Sequence, residues 1–125
     1  MKLRVLIADD DLDAHELLRD LLEINVDEVQ IDKALDCESL IRKLGEAGLA
    51  YDVIMVDYSL ESSGGLDAVA AIENQSPGLL RRTVLLNASP DVVSRDPRVR
   101  DTPNLRKPFS LDTFSEILTK TCNIS

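Results

Sequence analysis

The sequence predicts an α/β domain in which five parallel strands form one sheet with helices on both faces. Three features of the 125 residues support this: short apolar runs, amphipathic helical patterns between them, and turn-forming residues at the junctions. An uninterrupted apolar run such as residues 53–56 is typical of a strand buried on both faces, as in parallel sheets. Strands that alternate with helices favour parallel pairing through right-handed crossovers.

The predicted strands differ in how deeply they should be buried. They are expected at residues 3–8, 29–34, 53–56, 83–86 and 104–106. The second alternates only weakly between apolar and polar residues, which favours an edge position, and the fifth is short. Polar residues follow four of these strands directly: Asp9, Asp57, Asn87 and Lys107.

The segments between the strands show helical periodicity, with apolar residues recurring every three to four positions. Asp11, Ser89 and Ser110 are the predicted N-caps, and Pro90 suits a first helical position. The fourth helix must be short, because Pro97 follows it closely. The residues expected to face the core are Ala14, Leu17, Leu18, Leu21, Leu22, Cys37, Leu40, Ile41, Leu44, Leu66, Val69, Ala70, Ile72, Leu111, Phe114, Ile117, Leu118 and Cys122.

The composition indicates one globular domain that spans residues 1–125. Hydrophobic residues make up 44% of the chain, which suits a single core without disulfides. No apolar run approaches the roughly 20 residues of a membrane span, and the amino terminus is interpreted as a strand and not as a signal peptide. We therefore expect a cytoplasmic protein without membrane contact. Cys37 and Cys122 lie far apart without clustered histidines, so both are expected to be reduced.

The formal net charge of −9 argues against nucleic-acid binding by this domain, because phosphate would be repelled. It suits a cation site or a basic partner. His15 is predicted to lie in solvent on the polar side of the first helix. The charged residues around the fourth helix are by themselves typical of a solvated surface: Arg95, Asp96, Arg98, Arg100, Asp101 and Arg106.

Acidic residues follow two of the strands that should lie in the middle of the sheet. Asp9 and Asp10 come after the first strand and Asp57 after the third. Asp57 alone could simply begin a turn, but the carboxyl ends of parallel strands share one edge, where open α/β sheets place their chemistry. Three carboxylates there would repel one another, so either their pKa values rise or a cation such as Mg²⁺ lies among them. Lys107 at the same edge would pair with an added anion such as a phosphoryl group.

Taken together, these motifs resemble the receiver domain of two-component response regulators, of the chemotaxis-regulator type. The resemblance covers the whole chain and rests on the acidic pair, on Asp57, on Gly65 eight residues later, and on the Lys107-Pro108-Phe109 turn. It implies a flavodoxin-like sheet of order 2-1-3-4-5 and a bacterial signalling domain. Such a domain is not an enzyme beyond catalysing its own phosphorylation and dephosphorylation.

The resemblance also implies a role for each site residue. Asp57 would accept a phosphoryl group from a phosphohistidine of a sensor histidine kinase or phosphotransfer protein. Mg²⁺, or Mn²⁺, would be bound by Asp10, by Asp57 and by the backbone carbonyl of Ser59, with Asp9 acting through a water. A homodimer or an output partner would use the face of the fourth helix, fifth strand and fifth helix.

The phosphoryl group itself would have its own contacts. By the same resemblance, Lys107 would neutralise its charge and the backbone N–H of Ala88 would donate a hydrogen bond to it. The chain departs from the family pattern at Asn87, where a Thr or Ser hydroxyl is usual, and at Asn104, where an aromatic ring is usual. Glu61 also replaces a usual proline. We therefore predict intact phosphorylation chemistry with an altered relay from the site to the surface.

Three other interpretations stay open at this point. The chain could be a pseudo-receiver that acts through protein contacts without phosphorylation, which the two asparagines favour. Asp9-x-Asp11 also resembles the nucleophile motif of haloacid-dehalogenase-like phosphatases, but no cap domain or later acidic pair follows and Asp57 would have no role. A flavodoxin-like FMN-binding protein would need a Gly- and hydroxyl-rich loop where this chain has three acids.

Overall fold

The computed structural model describes residues 2–106 and 110–122, and its strands form one five-stranded parallel sheet. The strands are β1 (Lys2–Ala8), β2 (Glu28–Ala34), β3 (Val53–Asp57), β4 (Thr83–Leu86) and β5 (Asn104–Leu105). Their order is β2-β1-β3-β4-β5. The predicted fold class and strand order are confirmed. The predicted positions of Lys107, Pro108 and Phe109, and of the Cys122 side chain, lie outside the described residues.

Among the residues that the structure describes, five α-helices connect and follow the strands. They are α1 (Leu12–Asn25), α2 (Cys37–Ala47), α3 (Ala68–Gln75), α4 (Pro90–Ser94) and α5 (Leu111–Cys122). Short 3-10 helices follow α2, α3 and α4, at Gly48–Ala50, Pro77–Arg82 and Pro97–Val99. Within the described ranges, no helix is both long enough and apolar enough to cross a membrane.

The sheet separates two hydrophobic cores, because successive side chains of β3 point to opposite faces. Ile54 and Val56 belong to the core that contains residues of α2 and α3. Val53 and Met55 belong to the other core, with residues of α1 and α5. All four side chains are at most 1% exposed, which is why this strand reads as a continuous apolar run. The central strand β3 is thus covered by a core on each face, and it places Asp57 at the carboxyl edge of the sheet.

The helix starts confirm two of the three predicted N-caps. The Asp11 side chain accepts a hydrogen bond from the Asp13 N–H at 3.0 Å, and Ser110 Oγ accepts one from the Thr113 N–H at 3.1 Å. Ser89 precedes α4, but its side chain makes no capping hydrogen bond. In α4 the proline at the first position sets the helical backbone angle by itself.

Some residues predicted to face the core are exposed instead. Leu17, Ile41 and Leu111 are 40%, 39% and 43% exposed. Successive helical residues are rotated by about 100°, so Leu17 turns away from the sheet when its neighbour Leu18 faces it. Leu66 lies before α3 and not inside it, because Asp67 forms the N-cap by accepting a hydrogen bond from the Ala70 N–H at 2.8 Å.

Candidate metal site at the carboxyl edge of the sheet

Three acidic side chains meet at the carboxyl ends of the neighbouring strands β1 and β3. Ala8 of β1 is in register with Val56 of β3, so the residues that follow them emerge side by side. Asp9, Asp10 and Asp57 each place a carboxylate oxygen within 4.8 Å of the others. This is the arrangement that the sequence predicted from the topology alone.

Asp9 is the most buried of the three acids. Its side chain is 2% exposed, and its Oδ1 accepts a hydrogen bond from the Asp11 N–H at 2.9 Å. Burial raises the pKa of Asp9, and the nearby negative charges of Asp57 and Asp10 raise it further. The site therefore concentrates negative charge that a divalent cation would offset, and carboxylate oxygens are the ligands that Mg²⁺ prefers.

Asp57 is oriented by the residue two positions after it. Its Oδ1 accepts hydrogen bonds from the Ser59 N–H at 2.9 Å and from the Ser59 hydroxyl at 2.8 Å. The loop continues to Gly65, whose φ of 86° lies in the left-handed region that favours glycine. The sequence predicts a role for the Ser59 carbonyl only, so these two hydrogen bonds from Ser59 to Asp57 are a further contact that the structure adds.

His15 belongs to this site, and its predicted position in solvent is wrong. Its side chain is 2% exposed, and Nε2 lies 2.8 Å from the backbone carbonyl of Asp9. A carbonyl can only accept, so Nε2 carries the proton in this bond. The ring fixes the backbone where β1 ends. Its place next to Ala14, three residues before Leu18, was the available signal that it borders the buried stripe.

The two asparagines at which the chain departs from the receiver pattern are Asn87, directly after β4, and Asn104, the first residue of β5. Asn87 has a φ of 55°, a left-handed conformation that asparagine tolerates better than most residues. The side chain of Asn104 reaches the next residue, Ala88: the Ala88 N–H donates to Asn104 Oδ1 at 3.2 Å, and Asn104 Nδ2 donates to the Ala88 carbonyl at 2.8 Å. Asn104 thus binds the loop between β4 and α4 through both of its polar atoms.

Asp96 and Arg98, which follow α4, form partly exposed ion pairs and not only a solvated surface. The Arg98 guanidinium binds Asp96 at 2.7 Å and Asp67 at 3.0 Å, and the hydroxyl of Tyr58 donates to Asp96 at 2.5 Å. The Arg98 side chain holds the pKa of Asp96 and of Asp67 below their usual range. Since Tyr58 directly follows Asp57, this network connects the acidic site to the segment after α4.

Comparison with known proteins decides the family. The family model of the response regulator receiver domain matches residues 5–119. The chain belongs to this family. No curated protein matches the sequence significantly. Membership favours the receiver interpretation over the phosphatase and FMN-binding alternatives.

Solved receiver structures agree with the fold of this receiver domain. One from Clostridium thermocellum is 19% identical and has a TM-score of 0.75, over 97% of this chain and 94% of that one. Chemotaxis protein CheY4 of Vibrio cholerae is 20% identical, with a TM-score of 0.72 over 97% and 99% of the two chains. The receiver domain of the Pseudomonas aeruginosa sensor histidine kinase PA1611, described with a magnesium ion coordinated in its active site cleft, is 18% identical, with a TM-score of 0.74 over 98% and 99%.

Proposed function

We infer that this receiver domain accepts a phosphoryl group on Asp57, in an Mg²⁺-dependent reaction with the phosphohistidine of a sensor histidine kinase or phosphotransfer protein. The observation that carries the proposal is the convergence of Asp9, Asp10 and Asp57 within 4.8 Å. Phosphoryl transfer depends on positioning and charge neutralisation more than on covalent help from the protein. The acidic cluster can hold a divalent cation that neutralises charge, and the Asp57 carboxylate beside it is already oriented.

The metal would be held by few protein ligands, as Mg²⁺ usually is. Asp10 and Asp57 would bind it directly with the Ser59 carbonyl, and the buried Asp9 would bind it through a water. The exposure of Asp10 and the burial of Asp9 suit these different roles. When bound, the metal supplies positive charge against the transferring phosphoryl oxygens. Mn²⁺ would substitute, since it also takes oxygen ligands.

In the reaction a carboxylate oxygen of Asp57 attacks phosphorus, the phosphorus–nitrogen bond breaks, and its electron pair leaves with the histidine ring of the donor. Ser59 prepares Asp57 for this attack, because two hydrogen bonds to Oδ1 restrict rotation of the carboxylate. Lys107 would supply a counter-charge to the acyl phosphate, and the Ala88 N–H would donate to one of its oxygens. The whole chain, residues 1–125, would act as one such domain.

Two neighbouring surfaces would carry the protein contacts. The acidic edge would face the phosphohistidine donor, and α4, β5 and α5 would form the face for a second copy or an output partner. Nucleic acid is not a proposed ligand of this domain, given its net charge of −9.

The second candidate is a pseudo-receiver that uses protein contacts alone. The observation that favours it is the Ala88 N–H, which already donates to Asn104 where a receiver would offer it to a phosphoryl oxygen. Beryllofluoride, which imitates an aspartyl phosphate, separates the two candidates.

The test is fluorine NMR of the protein with beryllofluoride, with and without Mg²⁺. We expect a bound fluoride signal that requires Mg²⁺ and disappears in Asp57→Asn. Asp20→Asn, which alters an exposed carboxylate on α1, is the matched control and should bind like the wild type. If the wild type shows no bound signal at millimolar beryllofluoride and Mg²⁺, the pseudo-receiver interpretation replaces this proposal.

A further inference from the structure

The side chain of Asn104 makes a two-point contact with one residue of the loop between β4 and α4. The Ala88 N–H donates to Oδ1 at 3.2 Å, and Nδ2 donates to the Ala88 carbonyl at 2.8 Å. The orientation of the amide follows from these partners, since a backbone N–H can only donate and a carbonyl can only accept. The pattern equals a hydrogen-bonded pair of antiparallel strands, with a side chain in place of the second backbone.

The contact extends the pairing of β4 and β5 beyond its last backbone bond. Asn104 itself is in register with Leu85, and the final backbone bond runs from the Asn87 N–H to the Leu105 carbonyl at 2.9 Å. At Asn87 the chain leaves the extended strand through a left-handed conformation, with a φ of 55°. The Asn104 amide hydrogen-bonds Ala88 directly after that residue and so holds Ala88 beside β5.

Burial makes this contact matter energetically. Ala88 is 3% exposed, so its polar atoms depend on protein partners more than on water. A backbone N–H carries one proton and makes one good hydrogen bond at a time. Whichever acceptor takes the Ala88 proton therefore excludes another acceptor from it.

We propose that Asn104 is a positioning residue that competes with the phosphoryl group for the Ala88 N–H and so acts as a latch on the unphosphorylated loop. This inference rests on the proposed function, in which Ala88 donates to a phosphoryl oxygen. Phosphorylation must break the bond to Asn104 Oδ1 before the phosphoryl oxygen can use that donor. The latch opposes phosphorylation and holds the loop before α4 in its unphosphorylated position.

This competition would act in place of the usual hydroxyl and aromatic ring, which Asn87 and Asn104 replace in this chain. Phosphorylation would break one of the two hydrogen bonds between Asn104 and Ala88. The Ala88 N–H would then bind the phosphoryl oxygen, and Asn104 Oδ1 would need a new donor. Because Asn104 belongs to β5, breaking this hydrogen bond would change the contact between β5 and the loop before α4.

The experiment measures beryllofluoride affinity in Mg²⁺ together with hydrogen exchange of the Ala88 amide, in the wild type and in Asn104→Leu. Leucine has a similar size and cannot accept the Ala88 proton. We expect the affinity to rise about five-fold, which corresponds to one ordinary hydrogen bond, and the Ala88 amide to exchange faster. Asn25→Leu is the matched control, since Asn25 hydrogen-bonds Leu21 and Ser115 away from the site, and it should leave the affinity unchanged.

A second measurement uses only the wild type, so it does not depend on how a variant folds. When beryllofluoride binds, the side-chain amide signals of Asn104 should shift together with the Ala88 N–H. An affinity in Asn104→Leu that equals or falls below that of a binding-competent wild type would overturn the latch and leave the proposed function standing. Unchanged Asn104 amide signals in the bound wild type would overturn it as well. Failure of the wild type to bind would instead overturn the proposed function, and the latch with it.

Discussion

The hydroxyl of Tyr58 donates a hydrogen bond to Oδ2 of Asp96 over 2.5 Å. Tyr58 follows Asp57 directly, whereas Asp96 caps the 3-10 helix after α4 by accepting the Arg98 N–H at 3.0 Å. Arg98 continues the chain of contacts to Asp67, the N-cap of α3. The residue directly after the candidate phosphorylation site is thus tied by one polar network to the starts of α3 and of the 3-10 helix after α4.

Replacing Tyr58 by phenylalanine tests that network. Tyr58→Phe should lower the free energy of unfolding by about 1 kcal/mol, the net contribution of one hydrogen bond to a charged group that keeps its arginine partner. Urea denaturation measures the loss, and amide chemical shifts should change around Asp96 and Arg98. Tyr51→Phe loses a comparable bond to Asp32 of 2.6 Å, so it should cost similar stability without shifting those amides. Equal shifts in both variants would contradict the account.

The ion pairs of Arg98 predict a specific pH dependence. Arg98 lowers the pKa of Asp96 and Asp67 from the ordinary 3.8, so their ionised forms stabilise the fold above that pH. This contribution is lost as the pH falls below 3.8 and the folded-state carboxylates become protonated. Arg98→Met should therefore cost about 1–2 kcal/mol at neutral pH, a figure kept small because the arginine is partly exposed.

The measurement is urea denaturation of the wild type and Arg98→Met near neutral pH and again in acid. The difference between the two proteins should shrink below pH 3.8. Arg95→Met changes an exposed arginine of the same region and should leave stability unchanged at both conditions. A difference that stays constant with pH would show that Arg98 stabilises the fold by packing and not through its carboxylate partners.

The acidic cluster predicts opposite effects of one substitution with and without metal. Asp10→Asn removes one of three neighbouring negative charges, so the metal-free variant should be more stable than the wild type in urea. With Mg²⁺ present, the wild type should gain stability because the ion binds only the folded state, and the variant should gain less. Asp20→Asn should respond to Mg²⁺ as the wild type does. If Asp10→Asn destabilises the metal-free protein, repulsion does not dominate the site.

Loss of the usual hydroxyl and aromatic side chain predicts a muted response at the face of α4, β5 and α5. A conformational change requires different interactions in the two states, and the usual source of that difference is absent at Asn87 and Asn104. On addition of beryllofluoride, large amide shifts should concentrate near Asp57, Asn87 and Ala88. Large shifts that continue through Val92, Arg95 and Phe114 would show that the change reaches the whole face.

The topology of the site could be predicted from the sequence, because it follows from strands and their ends. Apolar runs place β1 and β3 in the interior, and parallel pairing then brings Asp9 and Asp57 to the same edge. The full strand order does not follow from this reasoning. It was predicted from the family resemblance, and the structure confirms it.

Contacts between side chains and loop backbone could not be predicted in this way. The periodicity of α1 places His15 at the border of the buried stripe, but it does not reveal the Asp9 carbonyl that binds the ring. The hydrogen bonds between Asn104 and Ala88 depend on the left-handed conformation of Asn87. A single asparagine in a sequence does not predict that conformation. Arg98 could have paired with several acids, and only the folded positions of Asp96 and Asp67 select its partners.

Intact mass spectrometry after incubation with acetyl phosphate and Mg²⁺ tests the central claim most directly. The wild type should gain the mass of one phosphoryl group, and it should gain none without the metal. Asp57→Asn should gain none under either condition, whereas Asp20→Asn should match the wild type. A phosphoryl mass that persists in Asp57→Asn, or a wild type that never acquires it, would contradict the assignment of Asp57 as the phosphoacceptor.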